Sequence, residues 1–263
     1  LAMASKHFRS GKFNSEKLSN NGNEIAWGTI GNASTSEGLF FETVNAIGVH
    51  QVPAIISIWD DGYGISVDNS YQTTKSSISE ALRGFQRNNN KKGFEILTVN
   101  GWDYPKLIST YEHANNIARN EHVPVIIHVK ELTQPVGHST SGSHERYKSK
   151  DRLDWEKIYD CNVKMKEWIL ENGLFTSKEL DKVHNECKEF VKKQKELAWT
   201  SFQSQIFSER NSLMEILKNI IQTEKSHDLI EITNSLIRLK EVGRKDLMSS
   251  ARKILRSNIK NYE

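Results

Sequence analysis

The feature that most constrains the fold is a helix-like run between two strand-like runs near the start of the chain. Residues 54–59 are mostly apolar, as in a buried parallel strand, and residues 24–30 form a shorter strand-like run. Ser34 and Glu37 have the spacing of a helix-capping box, so we expect the helix to begin near Ser34. Its apolar positions recur at helical spacing: Phe40, Val44 and Ile47. This order predicts a βαβ unit, in which both turns meet at the carboxyl edge of a parallel sheet.

The two turns carry residues suited to a bound diphosphate. Gly31 and Ala33 are small enough to let an anion approach the backbone, and the following helix supplies free amides and a positive dipole. Asn32 and Asp61 add two side-chain oxygens at the same edge, and Mg²⁺ binds oxygen donors of this type together with substrate phosphates. The sequence therefore predicts a diphosphate bridged by magnesium.

Three segments of this region resemble one enzyme family. Residues 31–38 read Gly-Asn-Ala-Ser-Thr-Ser-Glu-Gly, residues 60–66 read Asp-Asp-Gly-Tyr-Gly-Ile-Ser, and residues 136–141 read Val-Gly-His-Ser-Thr-Ser. They resemble the motifs of the α half of the thiamine diphosphate-dependent dehydrogenase component of 2-oxo acid dehydrogenase complexes. The resemblance is to the branched-chain (2-oxoisovalerate) type, and it implies a partial α/β, parallel-sheet thiamine diphosphate-binding fold.

Two motif positions differ from the family in a reciprocal way. The family's aspartate is Asn32 in this chain, and its ligating asparagine is Asp61. Either arrangement provides one carboxylate and one amide oxygen, so the formal charge around a cation is unchanged. The resemblance thus implies a magnesium ion bound by the side chains of Asn32 and Asp61 and by the backbone carbonyl of Tyr63.

The resemblance also implies which residues contact the cofactor. Gly31, Ala33 and Ser34 would hold the diphosphate of thiamine diphosphate, and Ala33, a glycine in the family, requires an ordinary negative φ. His138 would lie against the diphosphate and the reacting centre as the catalytic residue, since imidazole donates or transfers a proton near neutral pH. Five other histidines show no ligand spacing and are expected to be structural or exposed: His50, His113, His128, His144 and His227.

The function implied for the complete enzyme is oxidative decarboxylation of a 2-oxo acid, either a branched-chain 2-oxo acid or pyruvate. The acyl group would pass to a lipoyl group of the partner acyltransferase component. The chain resembles only the α half, so we expect a fragment, inactive alone, that needs a β half in the same chain or in a separate subunit. A fused chain would form a homodimer.

The rest of the chain continues the α/β order and then becomes helical. Residues 95–99 and 123–129 have strand patterns, with a helix expected from Tyr104. We therefore expect a cofactor-binding domain over 1–150, the family's terminal helices over 151–205, and an all-helical extension over 206–263 that connects to the β half. The stripes that predict the later helices are Leu180, Val183, Cys187, Phe190 and Leu197, then Leu213, Ile216, Leu217, Ile220 and Ile221, then Leu229, Ile232, Leu236 and Leu239, then Leu247, Ala251, Ile254 and Leu255.

Composition excludes several other classes of protein. A net charge of +3 without clustered Lys and Arg gives no basis for nucleic-acid binding. The sequence has no apolar run that could span a bilayer. Cys161 and Cys187 lack metal-site spacing, and two cysteines in a chain of this length favour a reducing cytoplasm.

Two alternatives remain open at this stage. Another thiamine diphosphate enzyme, such as a transketolase, would share the metal-diphosphate site, although the loop around His138 argues against it. The second alternative is a cofactor-free scaffold that keeps the fold, because Asn32 and Ala33 both depart from the family motif.

Overall fold

The structure is a computed structural model that describes residues 1–12, 17–89, 91–138, 144–223, 226–239 and 241–259. The chain divides into two compact units, Leu1–Thr176 and Ser177–Glu263. The first unit is α/β and the second is helical, which confirms the predicted fold class. None of the helices in the described part of the chain combines the length and apolar character needed to cross a membrane.

A sheet of four parallel strands forms the centre of the first unit. The strands are β1 (Ala26–Gly31), β2 (Ala54–Trp59), β5 (Glu95–Asn100) and β6 (Val125–Lys130), in the spatial order β1-β2-β6-β5. A separate hairpin consists of β3 (Tyr63–Gly64) and β4 (Val67–Asp68). All four long strands lie within two residues of the predicted runs, so these predictions are confirmed.

The first unit has three layers. Its helices are α1 (Ala2–Arg9), α2 (Gly38–His50), α3 (Ile78–Ala81), α4 (Tyr104–Asn116), α5 (Lys150–Ile158) and α6 (Cys161–Glu171). Val44 of α2 packs with Ile58 and Ile126 on one face of the sheet, and Ala114 of α4 packs with Ile55 on the other. Alternate strand residues therefore fill two separate cores, as expected for a parallel sheet covered by helices on both faces.

The helix after β1 begins later than predicted. Ala33–Ser36 form a 3-10 turn, and α2 begins at Gly38 after an extended Glu37 that makes no capping hydrogen bond through its side chain. The predicted capping box, with a helix start near Ser34, is therefore wrong. The physical reason is that the turn satisfies these groups itself, because the Glu37 amide donates to the Ser34 carbonyl at 3.2 Å.

The second unit contains three helices in its described residues. They are α7 (Ser177–Thr223), α8 (His227–Arg238) and α9 (Arg244–Ile259), and their shared core includes Leu217, Leu229, Leu236, Leu247 and Ile254. The expected boundary at residue 205 lies inside α7, and α5 and α6 belong to the first unit. On the earlier stripe of α7, Val183, Phe190 and Leu197 are exposed, so this stripe packs into no core among the residues that the structure describes.

A buried ion pair holds α5 next to the hairpin that follows β2. The side chains of Lys148 and Glu156 are 1% and 2% exposed, and the Lys148 Nζ lies 2.8 Å from the Glu156 Oε1. Arg152 donates to the same carboxylate at 2.9 Å. The Lys148 Nζ also lies 5.2 Å from the ring centre of Tyr63, within cation-π range. The pair therefore contributes to the position of Tyr63 as well as to the stability of α5.

We predict that Glu156→Gln lowers the free energy of unfolding by about 3–5 kcal/mol, because it leaves the charge of Lys148 buried without a carboxylate. The measurement is chemical denaturation followed by circular dichroism. Glu167→Gln is the matched control, since Glu167 pairs with Lys164 at 2.8 Å on the helix surface and should cost less than about 1 kcal/mol. Equal losses in the two variants would contradict the structural role of the buried pair.

Candidate functional site

An open cleft of about 910 Å³ lies at the carboxyl edge of β1 and β2. In the parallel register Gly31 lies beside Trp59, so the two strands end together and their following turns face the same space. Residues from both turns and from the segment after β6 line the cleft, among them Gly31, Asn32, Ala33, Ser34, Asp61, Tyr63 and His138. The structure thus brings every sequence-predicted site residue to one place.

The turn after β1 presents backbone to this cleft. A Cβ added to Gly31 would meet nothing within 4 Å, so the strand end is open. In a 3-10 turn that begins after Asn32, the amides of Ala33 and Ser34 have no partner inside the turn. Ala33 is not among the residues with positive φ, so the alanine causes no backbone strain. This arrangement suits an anion that accepts hydrogen bonds from backbone amides.

Asp61 and Tyr63 lie opposite this turn. The Oδ1 atom of Asp61 accepts from the Tyr63 amide at 3.1 Å, and Arg152 donates to the Asp61 backbone carbonyl at 2.8 Å. Burial raises the pKa of the Asp61 carboxyl above its ordinary value, against the opposing effects of the Tyr63 amide and of Lys148. The carboxyl therefore lies in a partly desolvated site where a cation would be favourable.

The side chain of Asn32 is buried and acts as a hydrogen-bond donor. Its Nδ2 atom donates to the backbone carbonyl of Tyr63 at 3.0 Å and to the Oδ1 atom of Asn69 at 2.8 Å. The Tyr63 carbonyl is the backbone ligand that the resemblance implies for the metal. The nitrogen of Asn32, and not its oxygen, therefore faces a predicted metal ligand.

A chain of buried polar groups continues from Asn69. Its Nδ2 atom donates to both carboxylate oxygens of Asp60, at 2.9 and 3.2 Å. His128 lies 2.8 Å from Asp60 through Nε2 and 2.8 Å from Ser79 through Nδ1. Burial favours a higher pKa for Asp60, but the hydrogen bonds from His128 and Gly62 outweigh it and lower the pKa below its ordinary value. Asp60 is thus a carboxylate that only accepts hydrogen bonds.

Sequence reasoning missed most of this chain of groups. It placed His128 among structural or exposed histidines, which its burial in β6 bears out, but gave it no partner. The available signal was a histidine within the otherwise apolar run of β6, because a buried polar side chain requires a partner. Asn69 carried no comparable signal, since an asparagine in a polar loop is ordinary.

The three predicted metal ligands do not fit a magnesium ion as the structure arranges them. An ion at the Tyr63 carbonyl would meet the NH₂ group of Asn32, which cannot coordinate it. Only the Asp61 carboxylate and the Tyr63 carbonyl would remain as oxygen donors, whereas Mg²⁺ requires about six oxygens in total. Within the described residues, no group of three or more His, Cys, Asp or Glu side chains could hold a metal. Asn32 as a magnesium ligand is therefore not supported by this geometry.

His138 lines the cleft from the segment after β6 and is exposed. The rest of its motif, residues 139–141, lies outside the described residues. Asp61 and Glu37 are the carboxylates among the described lining residues, and no lysine or arginine is among them. The cleft therefore offers backbone amides and one imidazole to an anion.

Comparison with known proteins gives a consistent family assignment. The family described as dehydrogenase E1 component matches residues 1–206. The 2-oxoisovalerate dehydrogenase subunit alpha 2, mitochondrial, of Arabidopsis thaliana is 28% identical over 167 residues, which cover 63% of this chain and 33% of that protein. The pyruvate dehydrogenase E1 component subunit alpha of Rickettsia bellii is 24% identical over 182 residues, covering 69% of this chain and 53% of that protein.

A bacterial branched-chain relative gives a similar picture. The 2-oxoisovalerate dehydrogenase subunit alpha of Bacillus subtilis is 26% identical over 151 residues, covering 57% of this chain and 43% of that protein. The chain thus spans between about a third and a half of the length of these curated relatives. Because the family match covers all the strands of the sheet and every residue of the cleft, the chain belongs to the dehydrogenase E1 component family.

Proposed function

We propose that this chain supplies the diphosphate-binding side of the active site in an enzyme that oxidatively decarboxylates a 2-oxo acid. The dehydrogenase E1 component family depends on thiamine diphosphate in general. The observation that carries the proposal is that one turn, with Gly31, Ala33 and Ser34, and the distant His138 line a single cleft. This convergence is what a site for a phosphate-bearing cofactor requires.

Each part of the cleft has a chemical role in this proposal. The amides of Ala33 and Ser34 bind phosphate oxygens, and the absence of a side chain at Gly31 lets the diphosphate approach the backbone. When bound, thiamine diphosphate supplies the carbon that attacks the 2-oxo group and accepts the electrons left by departing carbon dioxide. The imidazole of His138 holds or donates a proton to the oxygen of the reacting group.

The complete enzyme in this proposal includes more than the present chain. A β half, in the same chain or a separate subunit, completes the site, and the acyl group passes to a lipoyl group of an acyltransferase component. The names of the relatives favour branched-chain 2-oxo acids and pyruvate as substrates. We further propose that the chain without a β half does not turn over, and that the complete assembly is a homodimer when the two halves are fused.

One observation favours a second candidate function. The hydrogen bond from Asn32 to the Tyr63 carbonyl satisfies a group that a cofactor metal would otherwise bind. A protein that keeps this fold without a cofactor, as a scaffold within a larger assembly, would have the same contact. Cofactor binding distinguishes the two candidates.

We predict that the full-length protein binds thiamine diphosphate at the turn after β1, as measured by calorimetry. Gly31→Val should weaken binding at least about tenfold, a loss of about 1.4 kcal/mol, because the new side chain enters the space for the diphosphate. Gly28→Val is the matched control, since Gly28 lies on the same strand with open space at its Cβ but does not line the cleft. Absence of binding to the unmodified protein would support the scaffold.

We also predict that His138→Ala lowers the rate of decarboxylation by the complete enzyme by about 10²- to 10⁴-fold, as expected for loss of a proton-transferring group. Release of carbon dioxide from pyruvate and from branched-chain 2-oxo acids is the measurement, and it also identifies the substrate class. His113→Ala, at an exposed position of α4, should leave the rate unchanged. A His138→Ala enzyme with the unmodified rate would remove His138 from the mechanism.

A further inference from the structure

Asn69 and Asp60 fix the orientation of the side-chain amide of Asn32. Asp60 accepts hydrogen bonds from the Gly62 amide at 2.8 Å and from His128 at 2.8 Å, and as a carboxylate it has no hydrogen to donate. Asn69 must therefore direct its NH₂ group at Asp60, as the two contacts at 2.9 and 3.2 Å show. The oxygen of Asn69 is then the atom that faces Asn32.

The same reasoning applies to the next amide. Asn32 meets the oxygen of Asn69 at 2.8 Å and the carbonyl oxygen of Tyr63 at 3.0 Å, so both neighbours are acceptors. Rotation of the Asn32 amide by half a turn would place its oxygen against these two oxygens and break both hydrogen bonds. Because Asn32 is only 6% exposed, water could not easily replace them. The NH₂ group is therefore held toward the Tyr63 carbonyl.

We propose that Asn32 excludes divalent cations from this cleft, because its amide nitrogen occupies the side of the Tyr63 carbonyl where a cation would bind. The exclusion depends on Asp60 and Asn69, because their hydrogen bonds fix the orientation of the Asn32 side-chain amide. It does not depend on the proposed function, since it concerns the metal alone. Asn32→Asp should convert the site into one that binds a cation. Its carboxylate would face the oxygens of Tyr63 and Asn69, and a cation would be needed to offset their repulsion.

The test is a titration of the full chain with MgCl₂ at constant ionic strength, without cofactor, followed by thermal unfolding and by calorimetry. The unmodified chain should show no saturable stabilisation by magnesium. Asn32→Asp should unfold at a lower temperature without magnesium, and magnesium should raise its unfolding temperature with saturation. By calorimetry, Asn32→Asp should bind magnesium at least about tenfold more tightly than the unmodified chain, whose binding should not saturate over the same concentrations.

Three further variants test whether the magnesium response arises at this site and whether Asn69 orients Asn32. Asn45→Asp adds the same charge at an exposed position of α2 and should give no magnesium response. Asn69→Ser removes the acceptor that orients Asn32, so it should give a magnesium response weaker than that of Asn32→Asp. Adding Asp61→Ala to Asn32→Asp should weaken the gained response, because it removes an oxygen donor and leaves position 32 as the remaining carboxylate of the pair.

Specific outcomes overturn the proposal. Saturable stabilisation of the unmodified chain at the magnesium concentrations that stabilise Asn32→Asp would show that Asn32 does not exclude the ion. An Asn69→Ser variant that responds like the unmodified chain would show that Asn69 does not orient the amide. If Asn32→Asp is unfolded without metal, recovery of its helical circular dichroism with magnesium supports the proposal, and no recovery contradicts it. None of these readouts involves thiamine diphosphate, so failure of the proposed function remains distinguishable.

Discussion

The parallel pairing of β1 with β2 is the constraint on which the site depends. Gly31 and Trp59 lie side by side at the ends of the two strands, and the backbone N–H of Asn32 donates to the Trp59 carbonyl at 3.0 Å. This pairing places the turn after β1 and the turn after β2 at one edge of the sheet. A cleft that receives residues from both turns, and His138 from the segment after β6, follows directly.

The buried Asp60 determines the polar character of this edge. It follows β2 directly and is bonded to Asn69 and His128, and none of these three residues is among the described residues that line the cleft. A carboxylate that only accepts hydrogen bonds sets the direction of each amide beyond it, up to the Tyr63 carbonyl. One buried charge thus determines whether a neighbouring asparagine presents nitrogen or oxygen to a ligand.

The sequence predicted the strands and the convergence of the site, because both follow from periodic apolar residues and from the geometry of parallel sheets. The runs at 54–59 and 95–99 became β2 and β5 almost unchanged. The start of α2 was wrong because residues 33–36 form a 3-10 turn, and the competition between this turn and a capping box depends on local hydrogen bonds. The direction of the Asn32 amide was beyond prediction, since it depends on Asn69, which is distant in sequence and carries no pattern of its own.

We propose that a cofactor's diphosphate binds at the turn after β1 without a metal held by Asn32. A high-resolution crystal structure of the full-length protein, grown with thiamine diphosphate and magnesium, tests this most directly. We expect phosphate oxygens within hydrogen-bond distance of the Ala33 and Ser34 backbone amides, with the side-chain nitrogen of Asn32 still bonded to the Tyr63 carbonyl. A magnesium ion coordinated by the Asn32 oxygen and the Tyr63 carbonyl, or a cofactor bound away from this turn, would contradict it.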